Sequence, residues 1–443
     1  MSKHFRPWKI DQPQLLPPSV QDFVPEDHLS RFIVALVRES LDLSEITASY
    51  TSALGQPPFD PHMMTALLLN GYASGIYSSR RIAKAAEERA DFMMIVALDP
   101  PDFRTISDFR KRHLTALSGL FVQVLKLAEK AGLVKLGHVA LDGTKIKANA
   151  SKHKAMSYDR MKKREAELQA EVDRWLAAAE AADTEEDKLH GPKRGDELPK
   201  WVADKQKRLA KIRAAKAELE AEARAAAEEE TRRRAEAEES RKAEGGKKSG
   251  KTPEPPDATP DPKAQRNFTD PESRILKTKD GYIQGWNAQA AVDGTDQIIV
   301  AHALTPSMSD HGQLVGLIDG IEDNLGRRPK EASADSGYLS EANLASLHAR
   351  GIQPYIATGR AKHPDEVKRK IGGPLTQAMR GKLKRAGWRS RYRLRKQIVE
   401  PVFGQIKQGR GFRQFLLRGV EKVRAEWAMI CTAHHLVKLA RAA

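Results

Sequence analysis

Three acidic residues stand in surroundings suited to chemistry. Asp142 closes the apolar run Val139-Ala140-Leu141 and is followed by Gly143-Thr144. Asp335 closes Ala332-Ser333-Ala334 and is followed by Ser336-Gly337-Tyr338. Glu400 ends the basic stretch Tyr392-Arg393-Leu394-Arg395-Lys396-Gln397-Ile398-Val399. Two acids at strand ends and one on a late helix can converge on one point. Carboxylates gathered in this way offer the oxygen ligands that Mg2+ requires. Two such cations about 3.5–4 Å apart stabilise the attacking and leaving oxygens of a phosphoryl transfer. Singly, each acid has a plainer reading: a strand-end Asp is more often a turn or cap residue, and a lone helical Glu is more often solvated. The conjunction and the cations nearby carry the inference.

The surroundings of Glu400 follow from helix geometry. At about 100° per residue, Lys407 lies about 20° from Glu400, Lys396 about 40° and Tyr392 about 80°. Lys396 and Lys407 thus flank the carboxylate and suit phosphate binding. Arg395 falls about 140° away and is set apart from that face on a regular helix.

The chain has 443 residues and a net charge of +16. Residues 351–443 hold 22 Lys and Arg against 5 Asp and Glu, so the whole excess lies in this segment. A block this lopsided, interleaved with apolar residues, reads as the footprint of a polyanion rather than as a solvated tail. The single cysteine, Cys431, excludes an internal disulfide and any cysteine-based zinc site. No run of about 18 apolar residues occurs, and the N-terminus lacks a leader-like apolar stretch. The expectation is a cytoplasmic, nucleoid-associated protein without a membrane partner.

Residues 1–60 read as a Pro-rich arm with one buried helical piece at 32–37. Residues 61–132 read as all helical, with Pro61 in a first turn, Ser78 and Ser79 as caps, and Ser107 capping a helix over 108–114. Arg80, Arg81, Arg110 and Arg112 sit at helix starts and suit a helical DNA reader, although a structural bundle is an equally good reading. From 139 the period changes to two. Strands are expected over 139–142, either ending there or extended through 145–148, over 281–292 and 297–304, up to 335, and over 353–357, with helices over 311–325 and 341–350. This is an α/β arrangement around one mixed sheet.

The interval 156–265 does not belong to that sheet. Leu168, Val172, Trp175 and Ala179, and then Leu209, Ile212, Lys216 and Leu219, recur at helical spacing as narrow seams. Glycines and prolines over 191–199 would break them into a hairpin, and prolines 253 to 262 mark a disordered tether. Trp286 could stack on a flipped base or pack in a core. His302, His311, His434 and His435 match no zinc spacing and read as core or surface residues.

Asp142-Gly143-Thr144-Lys145-Ile146-Lys147-Ala148-Asn149, Ala334-Asp335-Ser336-Gly337-Tyr338 and Tyr392…Glu400-Pro401-Val402-Phe403-Gly404-Gln405-Ile406-Lys407 resemble the motifs of bacterial insertion-sequence DDE transposases. The likeness is to the IS-four and IS-five kind, in its IS-eleven-eighty-two branch. It implies a ribonuclease-H-like mixed-sheet catalytic core over 133–155 and 266–443. It also implies an N-terminal helical DNA-binding domain over 61–132 and a helical-hairpin insertion over 156–265. Asp142, Asp335 and Glu400 would be the catalytic metal ligands for Mg2+, with Mn2+ as substitute. Tyr392, Arg395, Lys396 and Lys407 would bind DNA. The implied partners are double-stranded DNA, as terminal inverted repeats and target, and a second copy of the chain in a homodimer. The family's spacing has three residues between its Arg and Glu, whereas four separate Arg395 from Glu400 here. Either Lys396 takes the arginine's place or the helix is irregular. A DNA-binding relative without chemistry and a nuclease that only hydrolyses are the alternatives.

Overall fold

The computed structural model describes residues 19–51, 57–190, 200–243, 254–359 and 372–443. The N-terminal part is helical: α1 (Leu29–Glu39), α2 (Ser44–Thr47), α3 (Pro61–Ala73), α4 (Ser79–Glu88), α5 (Ala90–Ile95), α6 (Phe103–Arg112) and α7 (Leu114–Lys130). Pro61 opens α3 behind Asp60, whose carboxylate accepts the His62 and Met63 N–H groups. Ser107 is not a cap. The helix begins earlier, at Phe103, behind Asp102, which accepts the Arg104 N–H at 2.7 Å. Pro100-Pro101 bar the helix from extending further back, and Asp102 is the cap that follows them.

The main sheet begins with β1 (His138–Lys147). A small ribbon and hairpin follow: β2 (Ala155–Ser157), α8 (Tyr158–His190), α9 (Lys200–Ala243) and β3 (Gln265–Asn267). The sheet resumes with β4 (Arg274–Thr278), β5 (Gly281–Asp293), β6 (Ile299–Thr305), α10 (Leu314–Leu325), β7 (Glu331–Ala334), α11 (Glu341–Ala349) and β8 (Gln353–Ile356). The chain ends with α12 (Pro374–Ala386), α13 (Leu394–Gly404) and α14 (Val420–Ala442). The strand order is β6–β5–β1–β7–β8, antiparallel from β6 to β1 and parallel from β1 to β8. β4, which period-two patterning alone did not single out, pairs with the first part of β5.

One continuous apolar core joins the N-terminal helices to the sheet. Its axis is α14, which packs on α7, α3 and β6 and is buried along most of its length. Val139, Ala140 and Leu141 of β1 are fully buried within it. Alanines at 288, 290 and 291 of β5, also fully buried, keep that strand slim enough for close packing. Among the described residues no helix is long and apolar enough to cross a membrane.

Burial in this core sets a pH limit. His434 and His435 are buried on α14, and desolvation holds both below the usual imidazole range, His435 at about 3. The unfolded chain would take up protons near pH 6.5, while native His435 resists until about 3. The stability that neutral His435 contributes is therefore complete above 6.5 and is lost as pH falls towards 3. At about 1.4 kcal/mol per unit, His435 alone accounts for on the order of 3–5 kcal/mol of acid lability. His435→Leu, similar in size and unable to protonate, is expected to lower the midpoint of acid unfolding followed by circular dichroism. An unchanged midpoint would contradict this origin.

The hairpin has its own small core, in which Met161 and Leu168 of α8 meet Leu209, Ile212 and Leu219 of α9. Glu165 pairs with Lys216 at 2.6 Å and Arg213 at 2.9 Å. The insertion leaves from β2 and returns through β3, with Ala155 opposite Asn267 and Ser157 opposite Gln265. Both ends therefore depart from one point, and the sheet is not forced apart. Buried Arg266 forks between Glu218 (2.6 Å) and Glu222 (2.5 Å) and fastens β3 to α9. The expected break over 191–199 and the Ala179 side chain lie outside the described residues, as does Pro253. From Glu254 onward the expected tether makes hydrogen bonds to the hairpin. Arg234 donates to the Glu254 carbonyl at 2.9 Å, and the Tyr158 and Asp159 N–H groups bond the Ala264 and Pro262 carbonyls.

Candidate active site

Asp142 lies inside β1 rather than at its end. The strand runs on to Lys147 because β5 stays paired with it after β7 has left. In the β1–β7 ladder His138 faces Glu331 and Ala140 faces Ser333. Carried two residues further, the same register sets Asp142 opposite Asp335, where the parallel pair separates. Asp142 Oδ1 accepts the Gly143 N–H at 2.9 Å, and Asp335 Oδ1 accepts the Gly337 N–H at 2.8 Å.

Helix α13 packs against β1, β5 and β7 and brings Glu400 and Arg395 to this point. Arg395 Nη1 stands 2.5 Å from Asp142 Oδ2, and Nη2 stands 3.6 Å from Glu400 Oε1. One guanidinium thus bridges two of the three acids. The regular-helix expectation for Arg395 fails, and Lys396, expected in its place, is exposed instead. The helix is continuous over Leu394–Gly404, so the long arginine side chain, not a changed helix angle, spans to Glu400. Pro401 cannot donate to the Gln397 carbonyl, which takes the Gln297 side-chain amide at 3.0 Å. Beyond Gly404 the helix widens into a π-turn over Gln405–Gly409. Within that turn Lys407 lies against β1, where Nζ bonds Thr144 Oγ1 at 3.1 Å and the Lys145 carbonyl at 3.2 Å. The Tyr392 ring lies 6.0 Å from the Arg395 guanidinium.

The charges explain this pairing. Burial pushes the Asp142 carboxyl up to about 6, Asp335 pushes the same way, and Arg395 opposes them. Burial also works against the Arg395 cation, but Asp142 and Tyr392 outweigh it and raise its pKa. Burial, then Arg413, lowers that of Lys407. Among the described residues no three His, Cys, Asp or Glu side chains stand close enough to form a ready metal cage. The donors are nonetheless all carboxylate oxygens, and the position between Asp142 and Glu400 already holds a positive charge. Such a set fits a hard divalent cation that takes over the charge Arg395 now balances.

Other sequence-derived candidates divide. Arg80, Arg81 and Arg112 are exposed, and Arg80 lies 5.1 Å from the centre of the Phe103 ring. Arg110 is buried and is no DNA contact. It bonds the Tyr77 carbonyl (2.9 Å), Ser79 Oγ (3.2 Å) and Tyr72 Oη (3.3 Å), stapling α6 to the start of α4. Trp286 is fully buried and presents no face to a base, so its packing role applies. Asp310 lies in the loop between β6 and α10, ahead of the helical periodicity, where no local pattern marks it. Its Oδ1 accepts from Asn287 Nδ2 at 2.7 Å and Gln289 Nε2 at 2.6 Å. The one signal in the sequence is a glycine close behind each of Asp142 and Asp335, Gly143 and Gly337, which marks crowding there.

Facing acids on a mixed sheet, beneath a helix from the basic part of the chain, make this an α/β protein. A family model described as a transposase domain (DUF772) matches residues 18–112, and one described as a transposase DDE domain matches residues 360–440. The second match spans Tyr392, Arg395, Lys396, Glu400 and Lys407, while Asp142 and Asp335 lie outside both. The two matches indicate an insertion-sequence DDE transposase. No curated protein and no solved structure matches it significantly.

Proposed function

We propose that this transposase cuts DNA at the ends of its element and joins the freed 3′ ends to target DNA. Asp142, Asp335 and Glu400 hold the divalent cations, Mg2+ or Mn2+ in its place. The observation that carries this is the register placing Asp142 opposite Asp335, with Glu400 tied to Asp142 through one guanidinium. The strand order, three antiparallel strands followed by two parallel additions, supports a ribonuclease-H-like core. A bound cation supplies activation of the attacking oxygen and neutralises charge on the phosphate. The protein supplies position. Lys407, anchored on β1 just past Asp142, meets a phosphate of the scissile strand, with Tyr392 and Lys396 along the same helix. The basic C-terminal segment and exposed Arg80, Arg81 and Arg112 hold the flanking duplex. Two copies pair the two ends.

The test is incubation of the full chain with Mg2+ and duplexes carrying the inverted repeats that flank its gene. The expected products are cuts leaving 3′-hydroxyls, followed by joined strands. Cuts without joining would favour a nuclease that only hydrolyses. Binding without any metal-dependent cut would favour a DNA-binding relative without chemistry.

A further inference from the structure

We propose that Asp310 is a fourth acid of this centre and presents a carboxylate oxygen to the cation between Asp142 and Asp335, an inference that rests on the function proposed above. The two oxygens of Asp310 are treated differently by their surroundings. Oδ1 accepts both side-chain amides, from Asn287 and Gln289, which are alternate residues on one face of β5. Among the described residues no donor reaches Oδ2. Gln289 cannot turn its amide round, because its Oε1 accepts the buried Tyr338 hydroxyl. Its backbone carbonyl is fixed as well, accepting Trp427 Nε1 at 3.1 Å. The Asp310 loop is also tied to the Asp335 turn, since His311 Nδ1 bonds the Gly337 carbonyl at 2.9 Å.

The glycines show where the free oxygen points. A Cβ added at Gly337 would lie 2.9 Å from Asp335 Oδ1 and 3.1 Å from Asp310 Oδ2. One added at Gly143 would lie 2.3 Å from Gln289 Nε2 and 3.0 Å from Asp310 Oδ1. Asp310 is therefore wedged between the residue after Asp142 and the turn that Asp335 caps, and a side chain at either glycine would displace it. Asp310 has one oxygen held by two amides and the other left open. That is how a supporting layer orients a metal ligand.

Mn2+ titration of the full chain by calorimetry, without DNA, tests this. Asp310→Asn keeps the size and one oxygen for the amides but loses the charge. It is expected to weaken Mn2+ binding by about tenfold or more, while Asp142→Asn and Asp335→Asn abolish it. Binding unchanged in Asp310→Asn but lost in the other two would overturn the role of Asp310 and leave the proposed function standing. Binding unchanged in all three would overturn both. A second measurement needs no variant: Fe2+ bound to the unaltered chain, with ascorbate and peroxide, cuts the backbone beside its ligands. Cuts are expected around 310 as well as around 142 and 335. Cuts at the latter two alone would overturn the proposal.

Discussion

Asp142→Asn, Asp335→Asn and Glu400→Gln are each expected to lower end cleavage by about 10³-fold or more, since each removes a charged ligand from a site whose catalysis is largely electrostatic. DNA affinity should change only a few-fold, because the basic segment that attracts the duplex is untouched. The three differ in their effect on the fold. Asp142→Asn leaves the buried Arg395 guanidinium without its main counter-charge and should cost stability too. Asp335→Asn removes a negative neighbour that burdens Asp142, so it relieves the metal-free protein. Glu400 is half-exposed and contacts Arg395 at 3.6 Å, so its neutralisation should barely move the melting temperature. Cleavage of a labelled end duplex and a thermal melt separate these cases. Near-normal cutting by any one variant removes that residue from the catalytic set.

Arg395→Ala carries the second large effect. Arg395 and Asp142 are both mostly shielded from solvent, and breaking such a pair from one side costs about 3 kcal/mol. If the guanidinium stands where a cation's charge would otherwise act, Mn2+ should restore stability to Arg395→Ala. The rise in melting temperature on adding Mn2+ should then exceed that of the wild type. Arg395→Lys should recover only part of the loss, because an ammonium cannot fork to two carboxylates. An equal Mn2+ shift in wild type and Arg395→Ala would show that the guanidinium and the cation do not substitute for each other.

Much of this was legible in the residues. Val139-Ala140-Leu141 announces a buried strand and Asp142 its polar break, and Ser340 caps its helix through the Asn343 N–H as its position suggests. Other features were hidden for physical reasons. Gly143-Thr144-Lys145 ends the apolar run, so the local pattern leaves open whether β1 continues to 145–148; pairing with β5 carries it to Lys147. The register of Asp142 against Asp335 is a property of two strands separated by a long insertion, and no local pattern encodes it. The angle assigned to Arg395 describes its place on the helix and leaves out the reach of its long side chain, whose guanidinium spans to both Asp142 and Glu400. Arg110 shows the limit of charge as a guide: its guanidinium is spent on a carbonyl and two hydroxyls inside the helical region. Asp310 sits in a loop whose position depends on amides from β5, so its neighbours appear only once the chain is folded.

The central claim is that Asp142 and Asp335, with Glu400 above them, hold divalent cations. Anomalous scattering from a crystal of the full chain soaked in Mn2+ tests this most directly. The expected result is Mn2+ density about 2.1 Å from carboxylate oxygens of Asp142 and Asp335, with Arg395 withdrawn from Asp142. Arg395 still bonded to Asp142, with no Mn2+ between the two aspartates, would contradict it.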